Sequence, residues 1–223
     1  NLIEVMFNAR QNASDYFIAY QYNNTLQQEF NITLPHEANF SSMKCLSLNG
    51  ANSCVFKDRS NYIHVVDTAS RADAYYNTSV HEEKRQTVPA IGDIDNDGNL
   101  EAVFWFNRDD SSGYGFLAFD LSQRAVKWIV DDIFIPSFGS FFILKGQPVL
   151  VDLNNDGKLE IAASVFYNDN LPPFDPYNDW FTELFVYSSN GTRLFSRCET
   201  NNVLDNGCND GGSEVNKWEG TNP

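Results

Sequence analysis

Pro89-Ala-Ile-Gly-Asp93-Ile-Asp95-Asn-Asp97-Gly98-Asn99-Leu-Glu101-Ala is nearly repeated 59 residues later as Pro148-Val-Leu-Val-Asp152-Leu-Asn154-Asn-Asp156-Gly157-Lys158-Leu-Glu160-Ile. In both copies, oxygen-bearing side chains occupy loop positions one, three and five, and glycine follows at six. Such alternation suits a hard cation: calcium takes six to eight oxygens, and a glycine turn lets successive side chains converge on one centre. Position seven, Asn99 or Lys158, would offer its backbone carbonyl, so its side chain matters little. Position nine, Glu101 or Glu160, would close the shell as a carboxylate. A helix–loop–helix calcium hand closes at position twelve and lies between helices. Here the flanks, such as Ala102-Val-Phe-Trp-Phe106 and Ile161-Ala-Ala-Ser-Val-Phe-Tyr167, are short, β-branched and aromatic, and read as strands. Each acidic loop is therefore expected to join two strands and hold one Ca2+, giving two sites. The first loop offers four carboxylates and the second three, so on charge alone the second should bind more weakly.

A second signature follows each loop. Residues 115–130 read as two strands turning at Ser122-Gln123, and residues 184–195 as two strands turning at Asn190-Gly191, a strong hairpin signal. The repeating unit is then strand, acidic loop, strand and hairpin. Residues 16–30 and 62–76 show the hairpin half alone, so the expected organisation is two degenerate units over 1–87, loop-bearing units at 88–147 and 148–200, and the start of a further unit or a tail at 201–223. Within that last stretch, residues 206–214 carry half of the acidic pattern and read better as a disulfide-bound polar loop than as a third metal loop. The Pro-rich insertion 168–180 is a candidate contact surface.

A chain of 223 residues can bury a substantial core, and its net charge of −15 argues against nucleic acid or an anionic membrane as partner. No apolar run reaches the length of a membrane span, and no signal peptide opens the chain. It begins at Asn1, as expected of a processed product or an excised piece. Cys45 with Cys54 and Cys198 with Cys208 form two close pairs without zinc-site spacing, so local disulfides are expected. Asn12, Asn23, Asn31, Asn39, Asn77 and Asn190 each begin a glycosylation sequon. Acidic loops, paired cysteines and sequons together indicate the cell exterior or surface.

The pattern apolar-x-Asp-x-(Asp/Asn)-x-Asp-Gly-x-x-Glu, between strands at a period near 60, resembles the FG-GAP and VCBS calcium-binding repeats of integrin α chains and secreted microbial proteins. The resemblance covers residues 88–197. It implies an all-β fold of propeller-like blades, each of four antiparallel strands, with the calcium loop linking the first two. It also implies one ion on Asp93, Asp95, Asp97, Asn99 and Glu101, and another on Asp152, Asn154, Asp156, Lys158 and Glu160. A closed propeller of six to eight such blades needs about 350 to 450 residues. This chain is thus expected to form a partial or open propeller, with exposed edges that favour other protein chains, surface glycans or self-assembly as partners.

Catalytic signatures are sparse. His36, His64 and His81 are isolated, and neither a metalloprotease His pair, a nucleophile elbow nor a phosphate loop is present. Asp109-Asp110 and Asp131-Asp132 are expected in turns. The reading is a non-catalytic calcium-binding module for recognition, adhesion or assembly of a glycosylated surface. The alternative is a calcium-dependent carbohydrate-active enzyme resembling the polysaccharide lyases built on propellers.

Overall fold

The computed structural model describes residues 2–6, 16–22, 26–34, 43–48, 50–58, 61–78, 87–107, 114–133, 142–169 and 179–200. The fold is all-β: every regular element among these residues is a strand. The chain divides into two compact units, Asn1–Pro89 and Ala90–Pro223.

In the first unit, β1 (Leu2–Met6), β2 (Tyr16–Tyr22) and β3 (Leu26–Thr33) form an antiparallel sheet, and β4 (Lys44–Leu48), β5 (Ala51–Lys57), β6 (Tyr62–Asp67) and β7 (Ala72–Asn77) form a second in sequence order. Ile32 and Leu34, at the end of β3, pack with Cys54, Phe56 and Val66 of the four-stranded sheet. Gly50, at φ 80°, carries the chain from β4 into β5, and Cys45 and Cys54, directly opposite across this pair, form a disulfide. That staple closes a loop of sequence separation 9. Replacing both cysteines by alanine should lower stability by about 2–3 kcal/mol on the chain-entropy estimate for so short a loop, measurable as a lower urea midpoint.

The second unit holds two sheets. β8 (Ala90–Gly92), β9 (Glu101–Asn107), β10 (Tyr114–Asp120) and β11 (Ala125–Ile133) lie in the order β11-β10-β9-β8. β12 (Phe142–Lys145) and β13 (Val149–Val151) lie end to end along one edge of β14 (Glu160–Asp169), followed by β15 (Asp179–Tyr187) and β16 (Arg193–Thr200). The sheet is thus four strands wide, and its first strand is interrupted at Gly146-Gln-Pro148, where proline lacks the N–H a continuous ladder would use.

Strand residues 102–106 and 114–119 are buried throughout, which is why they are apolar on both faces instead of alternating. One face, carrying Val103, Trp105, Tyr114, Phe116 and Ala118, packs against Ile161, Ala163, Val165, Phe185 and Tyr187 of the neighbouring sheet. Polar pins cross the same interface. Trp105 Nε1 donates to Gly146 O at 2.8 Å, Trp128 Nε1 to Ser189 O at 2.8 Å, and Tyr187 Oη to Asp132 Oδ1 at 2.6 Å. Asp131 and Asp132, expected in a turn, instead extend β11, because the ladder with β10 continues to Tyr114↔Ile133. Gly115 is required beside β11: a Cβ there would fall on the Val130 carbonyl.

The hairpins β6–β7 and β10–β11 share a turn. Asp67 Oδ1 accepts from the N–H groups of Ala69 and Ser70, Asp120 Oδ1 from those of Ser122 and Gln123, and Arg71 and Arg124 close the turns at φ 58° and 59°. The Asp-x-x-x-Arg spelling is thus a repeat mark linking the two units, as the short acidic side chain takes up the turn's free amides.

Candidate metal centre

The two acidic loops, between β8 and β9 and between β13 and β14, have the same local construction. Asn96 and Asn155 adopt φ 61° and 59°, and Gly98 and Gly157 φ 87° and 83°. Asn tolerates this left-handed region and Gly adopts it freely, which explains the Asn-Asp-Gly spelling. Position one organises each turn. Asp93 accepts from the N–H groups of Asp97 (3.0 Å) and Gly98 (2.9 Å), and Asp152 from those of Asp156 (3.2 Å) and Gly157 (3.0 Å). At position five, Asp97 accepts from Asn99 N and Asp156 from Lys158 N, both at 2.8 Å. At position nine, buried Glu101 and Glu160 reach back to the N–H groups of Ile94 (3.0 Å) and Leu153 (2.8 Å). Leu159 N donates to Ile94 O at 2.9 Å, and Asn96 lies beside Gly157, so the loops are neighbours.

In the first loop, Asp93, Asp95 and Glu101 present carboxylate oxygens within 4.8 Å of one another, as do Asp97, Glu101 and Asp120. Asp120, at the end of β10, adds a carboxylate that loop spacing alone did not reveal. The corresponding triples of the second loop contain Asn154 in place of Asp95 and Ser188 in place of Asp120, so its oxygen set carries less charge.

Both loops place an N–H donor where their acidic oxygens converge. In the first it is Lys127 Nζ, 2.6 Å from Asp95 Oδ2, 3.0 Å from Glu101 Oε1 and 3.6 Å from Asp97 Oδ2. Partial burial opposes charge on Lys127, but hydrogen bonds and attraction from Asp95 and Glu101 outweigh it and hold its pKa above the ordinary lysine value. Burial acts oppositely on Glu101, raising its carboxyl pKa against the Ile94 N–H and Lys127. Asp95 Oδ1 is buried without a hydrogen-bond partner. In the second loop the donor is the Asn154 amide, with Nδ2 3.3 Å from Asp156 Oδ2 and 3.4 Å from Glu160 Oε1. A half-turn of that amide would present its oxygen instead.

This arrangement fits a divalent cation: all side-chain ligands are oxygens, and the first loop retains an unsatisfied carboxylate oxygen beside its lysine. The carboxylates of Asp93, Asp95 and Glu101, or those of Asp97, Glu101 and Asp120, could hold a metal ion.

Lys127 could not be recognised from the loop motif, because it arrives from another strand. Its only local sign is its place in β11, where Ala118 pairs with Trp128 but Phe119 pairs with Val126, leaving Lys127 as the extra residue of a bulge. Bulges re-aim side chains in this way.

Elsewhere, His64 lies in strand β6 and is fully buried between two acids. Its Nδ1 lies 2.8 Å from Asp73 Oδ2 and its Nε2 3.1 Å from Asp58 Oδ2, with the ring stacked on Phe56 at 4.6 Å. Of the sequons, Asn31, Asn77 and Asn190 are exposed, while Asn12, Asn23 and Asn39 lie outside the described residues. Cys208, the expected partner of Cys198, lies outside them too, as do residues 170–178 of the Pro-rich insertion and the half-motif at 206–214. No helix among the described residues is long and apolar enough to cross a membrane. No family model, curated protein or solved structure gives a significant match to the chain.

Proposed function

We propose that this chain is a non-catalytic, extracellular calcium-binding module of propeller-like repeats that serves recognition, adhesion or assembly at a glycosylated surface. The observation that carries the reading is the pair of neighbouring loops with the same backbone turn, the same Asp-first amide scaffold and oxygen sets converging on a donor. A cation shared by the oxygens of a loop this acidic ties its turn together beside a packed interface, so a bound ion would stiffen the contact between sheets. The Cys45–Cys54 disulfide accords with an oxidising compartment, and the exposed Asn31, Asn77 and Asn190 accord with glycan attachment. The four-stranded antiparallel sheets, two of them packed face to face, are what successive blades of a propeller require. Against a lyase-like reading, the imidazole of His64 is enclosed by Asp58 and Asp73.

Calcium should therefore raise the melting temperature, with about 2.7 kcal/mol gained per site at a hundredfold excess over Kd. Thermal melts with calcium and with a chelator measure this, and the double variant D97A/D156A should abolish the difference. Identical melts of the wild type in calcium and chelator would rule the reading out.

A further inference from the structure

We infer that Lys127 is a resident cation that competes with calcium for the first acidic loop, so that the two loops load in order, the second before the first. The inference rests on the reading of both loops as calcium sites and goes beyond it by naming the residue that makes them unequal. Counting loop carboxylates predicts the opposite order, with the first loop the tighter.

Lys127 Nζ lies 2.6 Å from Asp95 and 3.0 Å from Glu101, at the point where side chains of positions three and nine must meet a metal. An ion entering there faces a like charge at contact distance, and must displace an ammonium already paired with two of its ligands. Lys127 can withdraw, because it rises from a bulge on an outer strand and its side chain is 23% exposed. Lysine suits the role: its ammonium is a compact point charge on a flexible stem.

Among the described residues, the second loop lacks this competitor. β15 and β16 carry a bulge at the matching place, where Tyr187 pairs with Arg193 but Val186 pairs with Phe195, and its extra residue is Leu194. The donor occupying that loop is the amide of Asn154, itself a proposed ligand of the site, whose Nδ2 makes contacts of 3.3 and 3.4 Å and whose Oδ1 accepts from the Asp156 N–H at 2.9 Å. Rotating that amide replaces a donor by an acceptor at the cost of the hydrogen bond its oxygen accepts from the Asp156 N–H, a neutral contact, and no charge has to leave. The exchanges Asp95 for Asn154, Asp120 for Ser188 and Lys127 for Leu194 therefore belong together: the loop with more acids carries its own cation, and the loop with fewer leaves its ion unopposed.

The test is isothermal titration of the full chain with calcium chloride, using D156A to isolate the first loop and D97A to isolate the second. D97A should bind more tightly than D156A. Adding K127M to D156A should strengthen its binding by roughly tenfold or more, and adding L194K to D97A should weaken its binding by a similar factor. Circular dichroism checks folding, and K127Q replaces K127M if the latter fails to fold. An affinity of D156A unchanged by K127M or K127Q, or D156A binding more tightly than D97A, would overturn the inference while leaving the loops as calcium sites. Absence of calcium binding by the wild type and every variant would overturn both.

Discussion

Replacing His64 with leucine is expected to lower the stability of the first unit by about 3–5 kcal/mol, the usual cost of removing one partner from a buried charge cluster. Asp58 and Asp73 close on the imidazole from either side within 3.1 Å, all three side chains are nearly or wholly buried, and Phe56 and Tyr75 cover the ring. Leucine would fill the volume but leave two carboxylates facing an apolar side chain. The cluster also sets a pH dependence. Burial alone would lower the imidazole's pKa, but hydrogen bonds and attraction from Asp58 and Asp73 raise it above the ordinary value of 6.5. A raised folded-state pKa means that the stabilisation is complete below the unfolded value of 6.5 and is lost as pH rises through the folded one. Urea midpoints of the wild type should therefore fall with increasing pH in that window, while those of H64L should lack this component. A variant as stable as the wild type, with the same pH profile, would show that the cluster carries no net charge-pairing energy.

Trp105 is the second position of large effect. Trp105→Ala should cost about 3–5 kcal/mol, the range for deleting a buried aromatic side chain. The indole is 1% exposed, lies 4.2 Å from Phe116 between ring centroids, and donates across the interface to Gly146 O. Its loss opens a cavity and leaves the Gly146 carbonyl without this donor. Trp105→Phe should lose less, since it keeps most of the packing and forfeits mainly the hydrogen bond, worth roughly 1 kcal/mol. Because the acidic loops meet at the edge of the same two-sheet interface, W105A should also weaken the calcium binding proposed for them, whereas W105F should largely preserve it. Chemical denaturation combined with calcium titration separates the two effects. Equal stability of W105A and the wild type would mean that Trp105 does not pin the sheets.

The all-β class and the strand-loop-strand placement of both acidic loops were legible from residues close together in the chain. Short β-branched and aromatic runs, an Asp at position one that takes up turn amides, and an Asn-Asp-Gly run in left-handed backbone are local features, met within nine residues. The Cys45–Cys54 pairing was legible for the same reason, because a tight turn brings cysteines nine apart directly opposite each other. Other features depend on strand register and sheet stacking. β12 joins β14 because Lys145 falls opposite Val165, and nothing in Phe142–Lys145 itself specifies that partner. His64 looked unremarkable because neither acid beside it is a sequence neighbour: Asp58 comes from beyond the end of β5 and Asp73 from β7.

The acidic loops show the same division. Their oxygen-rich composition and backbone turn were written in the sequence, since each ligand is a few bonds from the next. The charge that sits among the first loop's oxygens was decided by tertiary structure, because Lys127 is 26 residues from Glu101 and reaches it only when a bulge in β11 turns that side chain toward the loop. Local chemistry specified what the loops can hold; long-range register determined that one of them already holds a cation of the chain's own.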